Sequence, residues 1–394
     1  MSGLTLLLAV LTLLGLALLL WQWRVALRFP LHRRKTTGQF APAVTVLKPL
    51  KGRDAETAGC LRSWLTQTYP TPVQFLFGVA SPADPVCDLV RALLAQHPDA
   101  DAQLVLCPEP LGPNAKVSTL VQLEPSIRHE IVVLSDADVR VPPDLLRELV
   151  APLEAADVGV VNCFYRLANP VNLAMRWEAF AINADFWSQV LQSRSLRPLD
   201  FALGAVMATT RTHLGRIGGF ASLVNHLADD YQLGHRIAAT GARVELCPVV
   251  VECWNAPMGW AEVWAHQLRW ARTIRVCQPA PYFFSILSNA SLWPLLWLLA
   301  SLADAFLRAD ASRDFASGAS TPLTLHPAWA ALACGLVLLV RVLTGLQLQT
   351  RLTRSTNHFP YFWMAPVKDL LHCFVWALAF TRNTVHWRGE TFRV

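Results

Sequence analysis

Residues Gly3 to Trp23 carry no charge and are mostly Leu, Ala and Val. That run reaches the roughly 20 residues a helix needs to cross the hydrocarbon core of a bilayer. A membrane anchor at 1–25 is therefore the strongest constraint on the fold. A cleaved leader fits less well, because no basic residue precedes the run and no A-x-A-like site closes it. Arg24, Arg28, Arg33, Arg34 and Lys35 follow directly. Cytoplasmic flanks carry the excess of basic residues, so the chain after the run is expected in the cytoplasm and its N-terminus outside.

Composition points the same way. Hydrophobic residues make up 53% of the 394 and charged residues only 16%, against roughly 25% charged in soluble domains. This excludes a purely soluble chain and long disorder. The net charge of +6 is too mild over this length to imply nucleic acid, and an anionic membrane surface accounts for it. The nine cysteines show no C-x-x-C and no metal-finger spacing, which reads as reduced, buried thiols.

Three more apolar stretches close the chain, at Pro281–Leu307, Pro327–Leu346 and Tyr361–Phe380. The first carries Pro294, where a kink is tolerable if neighbours satisfy the freed carbonyl. The second carries Arg341 near its end, from where it could snorkel towards Arg351 and Arg354 on the cytoplasmic side. The third holds Lys368, Asp369 and His372 in mid-segment, which argues for an interfacial or re-entrant path. The region 280–380 thus reads as two to three spans, with a basic tail at 381–394 placed inside.

Between the anchors, 41–279 alternates strand and helix. Val44–Leu47, Val73–Ala80, Gln103–Cys107 and Glu130–Ser135 read as strands, and 55–67 and Asp84–His97 as helices. Such alternation predicts an α/β fold, Rossmann-like, with a mostly parallel sheet, whose ligands sit at the carboxyl ends of the strands. Ser135-Asp136-Ala-Asp138 follows directly on the fourth strand. Two carboxylates one residue apart there can share a hard cation, Mg²⁺ or Mn²⁺, although Asp also ends strands in plain turns. Asp229-Asp230 precedes a helical run, so one can cap it while the other faces the cleft as a general base. His266, Arg269 and Trp270 share one helical face. Arg supplies donors for phosphate oxygens and Trp a flat apolar surface; an interfacial helix would look similar. The aromatic segment Asn169–Gln192, with Trp177, Phe180, Phe186 and Trp187, reads either as core or as an amphipathic wall.

Taken together, the pieces resemble the membrane-bound inverting glycosyltransferases of GT-A fold, nearest to the ceramide glucosyltransferase family (glycosyltransferase family 21) and its bacterial relatives, including those named for hopanoid biosynthesis. The resemblance rests on Leu47-Lys-Pro-Leu-Lys-Gly52, Gly112-Pro-Asn-Ala-Lys116, the Asp136 motif, Gly218-Gly-Phe220, Asp229-Asp230, Arg269-Trp270 and Trp387-Arg-Gly. It implies a UDP-sugar donor and a lipid acceptor (ceramide, hopanoid or glycerolipid), in a multi-pass protein of a bacterial inner membrane. It implies that Asp136, helped by Asp138, meets the metal-diphosphate, that Asp230 with Asp229 supplies the base, and that Lys48, Lys51, Asn114 and Lys116 serve the donor side. Two departures stand out. His266 replaces the leading Gln or Arg of the (Q/R)-x-x-R-W signature, and Ser81 stands where the family has an Asp near the nucleotide base, leaving Ser81, Asp84 or Asp54 to take that place. A processive polysaccharide synthase and an inactive membrane module are the rival readings.

Overall fold

In the computed structural model, residues 3–34, 39–314, 326–387 and 390–393 are described. Lys35 of the basic cluster and Arg388 and Gly389 of the terminal motif lie outside them. The strands are β1 (Val44–Leu50), β2 (Val73–Val79), β3 (Ala102–Leu106), β4 (Ile131–Ser135), β5 (Val139–Arg140), β6 (Val158–Leu167), β7 (Val206–Thr210) and β8 (Arg243–Cys253). They form one sheet in the order β3-β2-β1-β4-β7-β6-β8-β5.

The first four strands stand where the sequence places them, all parallel. The sheet then departs from simple alternation. β7 runs antiparallel to both β4 and β6, β6 and β8 are parallel, and β5 is antiparallel to β8. Because β7 reverses direction between them, β4 and β6 end at the same edge of the sheet. That edge collects the acidic residues. β5, β6, β7 and β8 go beyond the four expected strands. In β4 the alternation is complete: Ile131 and Val133 enter one core, Val132 and Leu134 the other. A strand covered on both faces reads as a continuous apolar run for this reason.

The second of these cores also takes in Ala26 from the N-terminal helix, Gly3–Arg28, Phe29 directly after it, and Leu348 and Leu352 from the helix His326–Thr353. The apolar helices therefore pack directly onto the α/β unit. Two helices are long and apolar enough to cross a membrane, Gly3–Arg28 and Pro327–Thr353; the bent pair Pro279–Ser288 and Leu292–Leu307 makes a third if taken as one span.

The 51° bend of that pair does not fall at Pro294, although a kink would be tolerable there. The break falls before it, at Asn289, whose Oδ1 accepts the backbone N–H groups of Ser291 (3.2 Å) and Leu292 (2.9 Å) and so starts the new helix. Pro294 then lies in the first turn, where its missing N–H has no partner to lose. Arg341 does not snorkel either. It is buried, donating to Asp369 (2.7 and 2.8 Å) and Asp185 (2.8 Å). The helix Met364–Ala379 has 16 residues, short of a span, and its Lys368 and Asp369 complete the same ionic cluster. In the 169–192 segment Trp177, Phe180 and Trp187 are buried as core. All nine cysteines are free thiols.

Candidate active site

The site is built on the carboxyl end of β4. Immediately after it, the Asp136 N–H donates to the Ala205 carbonyl (3.3 Å) at the start of β7, which fixes the turn and leaves the Asp136 side chain 38% exposed. Lys48 supports this turn from below. It is fully buried, and its Nζ donates to Ser135 Oγ (3.1 Å) and to the Asp136 carbonyl (2.6 Å). Burial lowers its pKa to about 8, partly offset by nearby acidic groups including Asp136 and Asp138. Lys48 thus shapes the acidic turn, with its ammonium spent on the protein.

A second lysine organises the carboxylates. Asn114 caps the helix Ala115–Leu123, its Oδ1 accepting from Val117 N (3.2 Å), while its Nδ2 donates to the His226 carbonyl (2.8 Å). These bonds tie the helix carrying Lys116 to the segment leading into the helix Asp229–Ala239. Lys116 Nζ consequently bridges Asp136 Oδ1 (2.7 Å) and Asp229 Oδ2 (2.9 Å). Burial alone would lower its pKa, but the two carboxylates overcome it and hold the ammonium well above the ordinary lysine range.

Neither Asp229 nor Asp230 is the N-cap; Ala228 holds that position and both acids fall in the first turn. Asp230 accepts the N–H of Tyr231 at 2.8 Å and has no salt-bridge partner among the described residues. Burial first, then the negative Asp229, raises its pKa to about 6, with Lys116 opposing. Gly204 makes room for it: a Cβ there would lie 2.6 Å from Asp230 Oδ2. The arrangement leaves one mostly buried carboxyl group, with a pKa of about 6, beside two carboxylates that share one lysine.

The remaining donor-side candidates form a neighbouring loop cluster. Asp84 accepts the Gly52 N–H with both oxygens (3.1 and 2.9 Å) and so joins the loops after β1 and β2. Gly52 has φ 69°, a conformation that favours glycine. Asp54 is committed to Glu56 N and Thr57 at the start of the helix Thr57–Leu65. Ser81 Oγ accepts from Ala83 N (3.2 Å), and both Ser81 and Lys51 are exposed.

The 266–270 motif lies on the helix Trp260–Cys277. His266 and Trp270 rings meet edge to face at 4.9 Å, and Trp270 packs against Tyr165 and Phe186. Sequence reasoning missed the partner of this motif. Glu178 is fully buried, its Oε1 meeting His266 Nδ1 and accepting from Gln267 Nε2 (3.1 Å), while Oε2 makes no hydrogen bond among the described residues. A lone carboxylate inside the apolar run Trp177–Phe180 was the available signal. The same helix closes on the acidic site through Tyr231, whose hydroxyl donates to the Cys277 carbonyl (2.9 Å) and accepts from Gln278 Nε2 (3.0 Å).

Among the described residues no group of three or more His, Cys, Asp or Glu side chains is placed to hold a metal by itself. Asp136 and Asp138 instead offer hard oxygen donors at one strand end, both within electrostatic reach of Lys48 and Cys253. That donor set fits a cation that takes one or two carboxylates and completes its shell with phosphate and water.

An α/β sheet with acidic pairs gathered at one strand edge is the architecture of a GT-A glycosyltransferase. At the level of fold, the mannosyltransferase PcManGT from Pyrobaculum calidifontis, solved with GDP-Man and Mn²⁺, matches with a TM-score of 0.51 and 23% identity, over 92% of this chain and 99% of that one. The chain belongs to glycosyl transferase family 21, whose sequence profile matches residues 4–394. Ceramide glucosyltransferase 1 of Caenorhabditis elegans is 23% identical over 227 residues, 55% of this chain and 47% of that protein. The ceramide glucosyltransferase of Candida albicans is 31% identical over 121 residues, 28% of this chain and 22% of that protein. The matches thus span less than half the length of these relatives.

Proposed function

We propose that this chain is a membrane-bound inverting glycosyltransferase that moves a sugar from a UDP-sugar to a lipid hydroxyl, of the ceramide glucosyltransferase kind. The carrying observation is Asp230, a cleft carboxyl group with a pKa raised to about 6 next to the Lys116-bridged pair Asp136 and Asp229. A general base works best when its pKa lies near the working pH. Asp230 takes the proton of the acceptor hydroxyl as the oxygen attacks the anomeric carbon from the face opposite the leaving UDP. Asp229 and Asp136 help to hold the base's pKa up and Lys116 opposes them, which keeps it near the working pH. Arg269 and Trp270 serve the diphosphate and acceptor side. A divalent cation held by Asp136 and Asp138 would neutralise the leaving diphosphate. The ceramide glucosyltransferase relatives support a lipid acceptor, and the apolar helices packed on the sheet give its tails somewhere to stay.

Purified protein given radiolabelled UDP-sugars and mixed lipids should produce labelled lipid. Labelled insoluble polymer would indicate a synthase instead, and unconsumed UDP-sugar an inactive module. In the same assay EDTA should abolish transfer and Mn²⁺ or Mg²⁺ restore it; full activity in chelator would remove the metal role from Asp136 and Asp138. Orientation is tested separately. Cysteines introduced at exposed Thr66 and Asn225 should react with an impermeant thiol reagent only once the cytoplasmic face is opened. Labelling from outside intact cells would sink the proposal, since nucleotide sugars are cytosolic.

A further inference from the structure

Between the end of β6 and the last turn of the His326–Thr353 helix lies a cavity of about 390 Å³. Its lining shares no residue with the acidic site, and none of the lining residues is Asp or Glu. The polar groups on its walls include Arg166, Asn169, Arg176, Gln349, Thr353 and Asn357.

Two of these have polar groups with no partner in the protein among the described residues. Arg166 is balanced by Glu252, but Arg176 has no carboxylate partner among the described residues. Its guanidinium is held instead over the Tyr361 ring, 4.0 Å from the centroid. Gln349 is 5% exposed, and its side-chain amide has no hydrogen-bond partner among the described residues. The amide is open to the cavity it lines, so its N–H groups are available to a bound group. A fixed guanidinium with donor amides, in a space free of carboxylates, is complementary to an anion with several acceptor oxygens.

Position narrows the anion. Gln349 and Thr353 belong to the end of a helix long and apolar enough to span a bilayer. The neighbouring Arg351 is spent on the carbonyls of Ala26 (3.2 Å) and Leu27 (2.8 Å), which brings the ends of the two candidate spans together beside the cavity. On the reading that these helices cross the bilayer, the opening is level with the headgroup layer. The volume exceeds what a bare phosphate ion fills and suits a phosphate ester carrying a small polar group.

We propose that this cavity binds a phosphate ester, the headgroup of an anionic phospholipid, with Arg176 as the main contact. The full chain in uncharged detergent, titrated with phosphatidylglycerol and followed by native mass spectrometry, should retain one phosphatidylglycerol in preference to phosphatidylcholine. Arg176→Gln should weaken that retention by roughly tenfold, the size of one charge-assisted hydrogen bond, and Arg176→Lys by less. Asn357 is exposed and its side chain makes no hydrogen bond among the described residues, so Asn357→Asp keeps the fold while adding negative charge at the rim; it should weaken retention in the same direction. Inorganic phosphate and glycerol phosphate form the second arm. If either competes with phosphatidylglycerol at equal concentration, the phosphate site stands and the lipid source falls. Equal retention of phosphatidylcholine, or wild-type retention of phosphatidylglycerol by both Arg176→Gln and Asn357→Asp, overturns the proposal.

Discussion

Asp230→Asn should lower turnover by roughly 10²- to 10⁴-fold, the range for loss of a general base, while UDP binding survives. The amide is nearly isosteric and still fits against Gly204, but it cannot take the proton. Wild-type rate should rise with pH through about 6, as the buried carboxyl ionises, and the variant's residual rate should lose that rise. Stability moves the other way. The folded-state pKa is raised from 3.8 to about 6, so the proton on Asp230 stabilises the fold fully below the unfolded value. That contribution is lost as pH climbs through the folded one. At pH 7 the ionised group therefore costs roughly 2–3 kcal/mol by linkage. Asp230→Asn should melt higher than wild type at pH 7, with the gap closing towards pH 4. Asp136→Asn offers the contrast, because it should weaken UDP binding together with turnover. Initial rates, calorimetry with UDP and melting curves on both variants decide the roles. Near-normal rates in Asp230→Asn would place the base elsewhere, with Asp229 next in line. Equal loss of UDP affinity in both would make Asp230 part of the donor site.

What the sequence made legible here was local. Asp136 follows an apolar run directly, and Asp229 and Asp230 open a helix, so adjacency alone located them. Lys116 could be named as a donor-side residue, but its bridge between Asp136 and Asp229 depends on two helices meeting across the fold. No pattern within either helix encodes that meeting. β6 escaped because Val158–Cys163 is buried on both faces. Without alternation, a short apolar run cannot be told from a buried helix segment. Glu178 left a trace, a single acid in an apolar stretch, whose meaning required His266 from another helix. The charges at 368 and 369 argued for an interfacial or re-entrant path, and in the fold both join a buried ionic cluster. Their partners, Asp185 and Arg341, come from segments far apart in the chain. Proline marks position 294 as one where a kink would be tolerable, whereas the actual break answers to the Asn289 side chain.

Arg341→Met should destabilise the fold by about 3–5 kcal/mol, the usual cost of removing one partner from a buried ion pair. Arg341, Lys368, Asp185 and Asp369 are all buried and balance charge for charge. Ser291 Oγ donates to Asp369 at 2.8 Å, and Asn289 Nδ2 to its carbonyl at 2.8 Å. Four segments thus converge on one cluster, and one of them, Ala181–Phe186, runs directly out of the helix that carries Glu178. Packing reinforces the contact: the Arg341 guanidinium lies 5.1 Å from the Phe180 ring centroid, and a Cβ at Gly345 would come within 2.6 Å of Phe180 Cζ. Deleting Arg341 alone leaves Asp369 negative and buried. Arg341→Met with Asp369→Asn removes one charge of each sign, leaves Lys368 with Asp185, and keeps an acceptor for Ser291. If charge balance is what matters, the double variant should recover at least half of the single variant's loss. Thermal inactivation half-lives in detergent at one fixed temperature measure this without requiring reversible unfolding. An unchanged half-life in Arg341→Met would show that the cluster adds nothing. A double variant as damaged as the two single losses together would show that shape, and not neutrality, holds the α/β unit to its apolar helices.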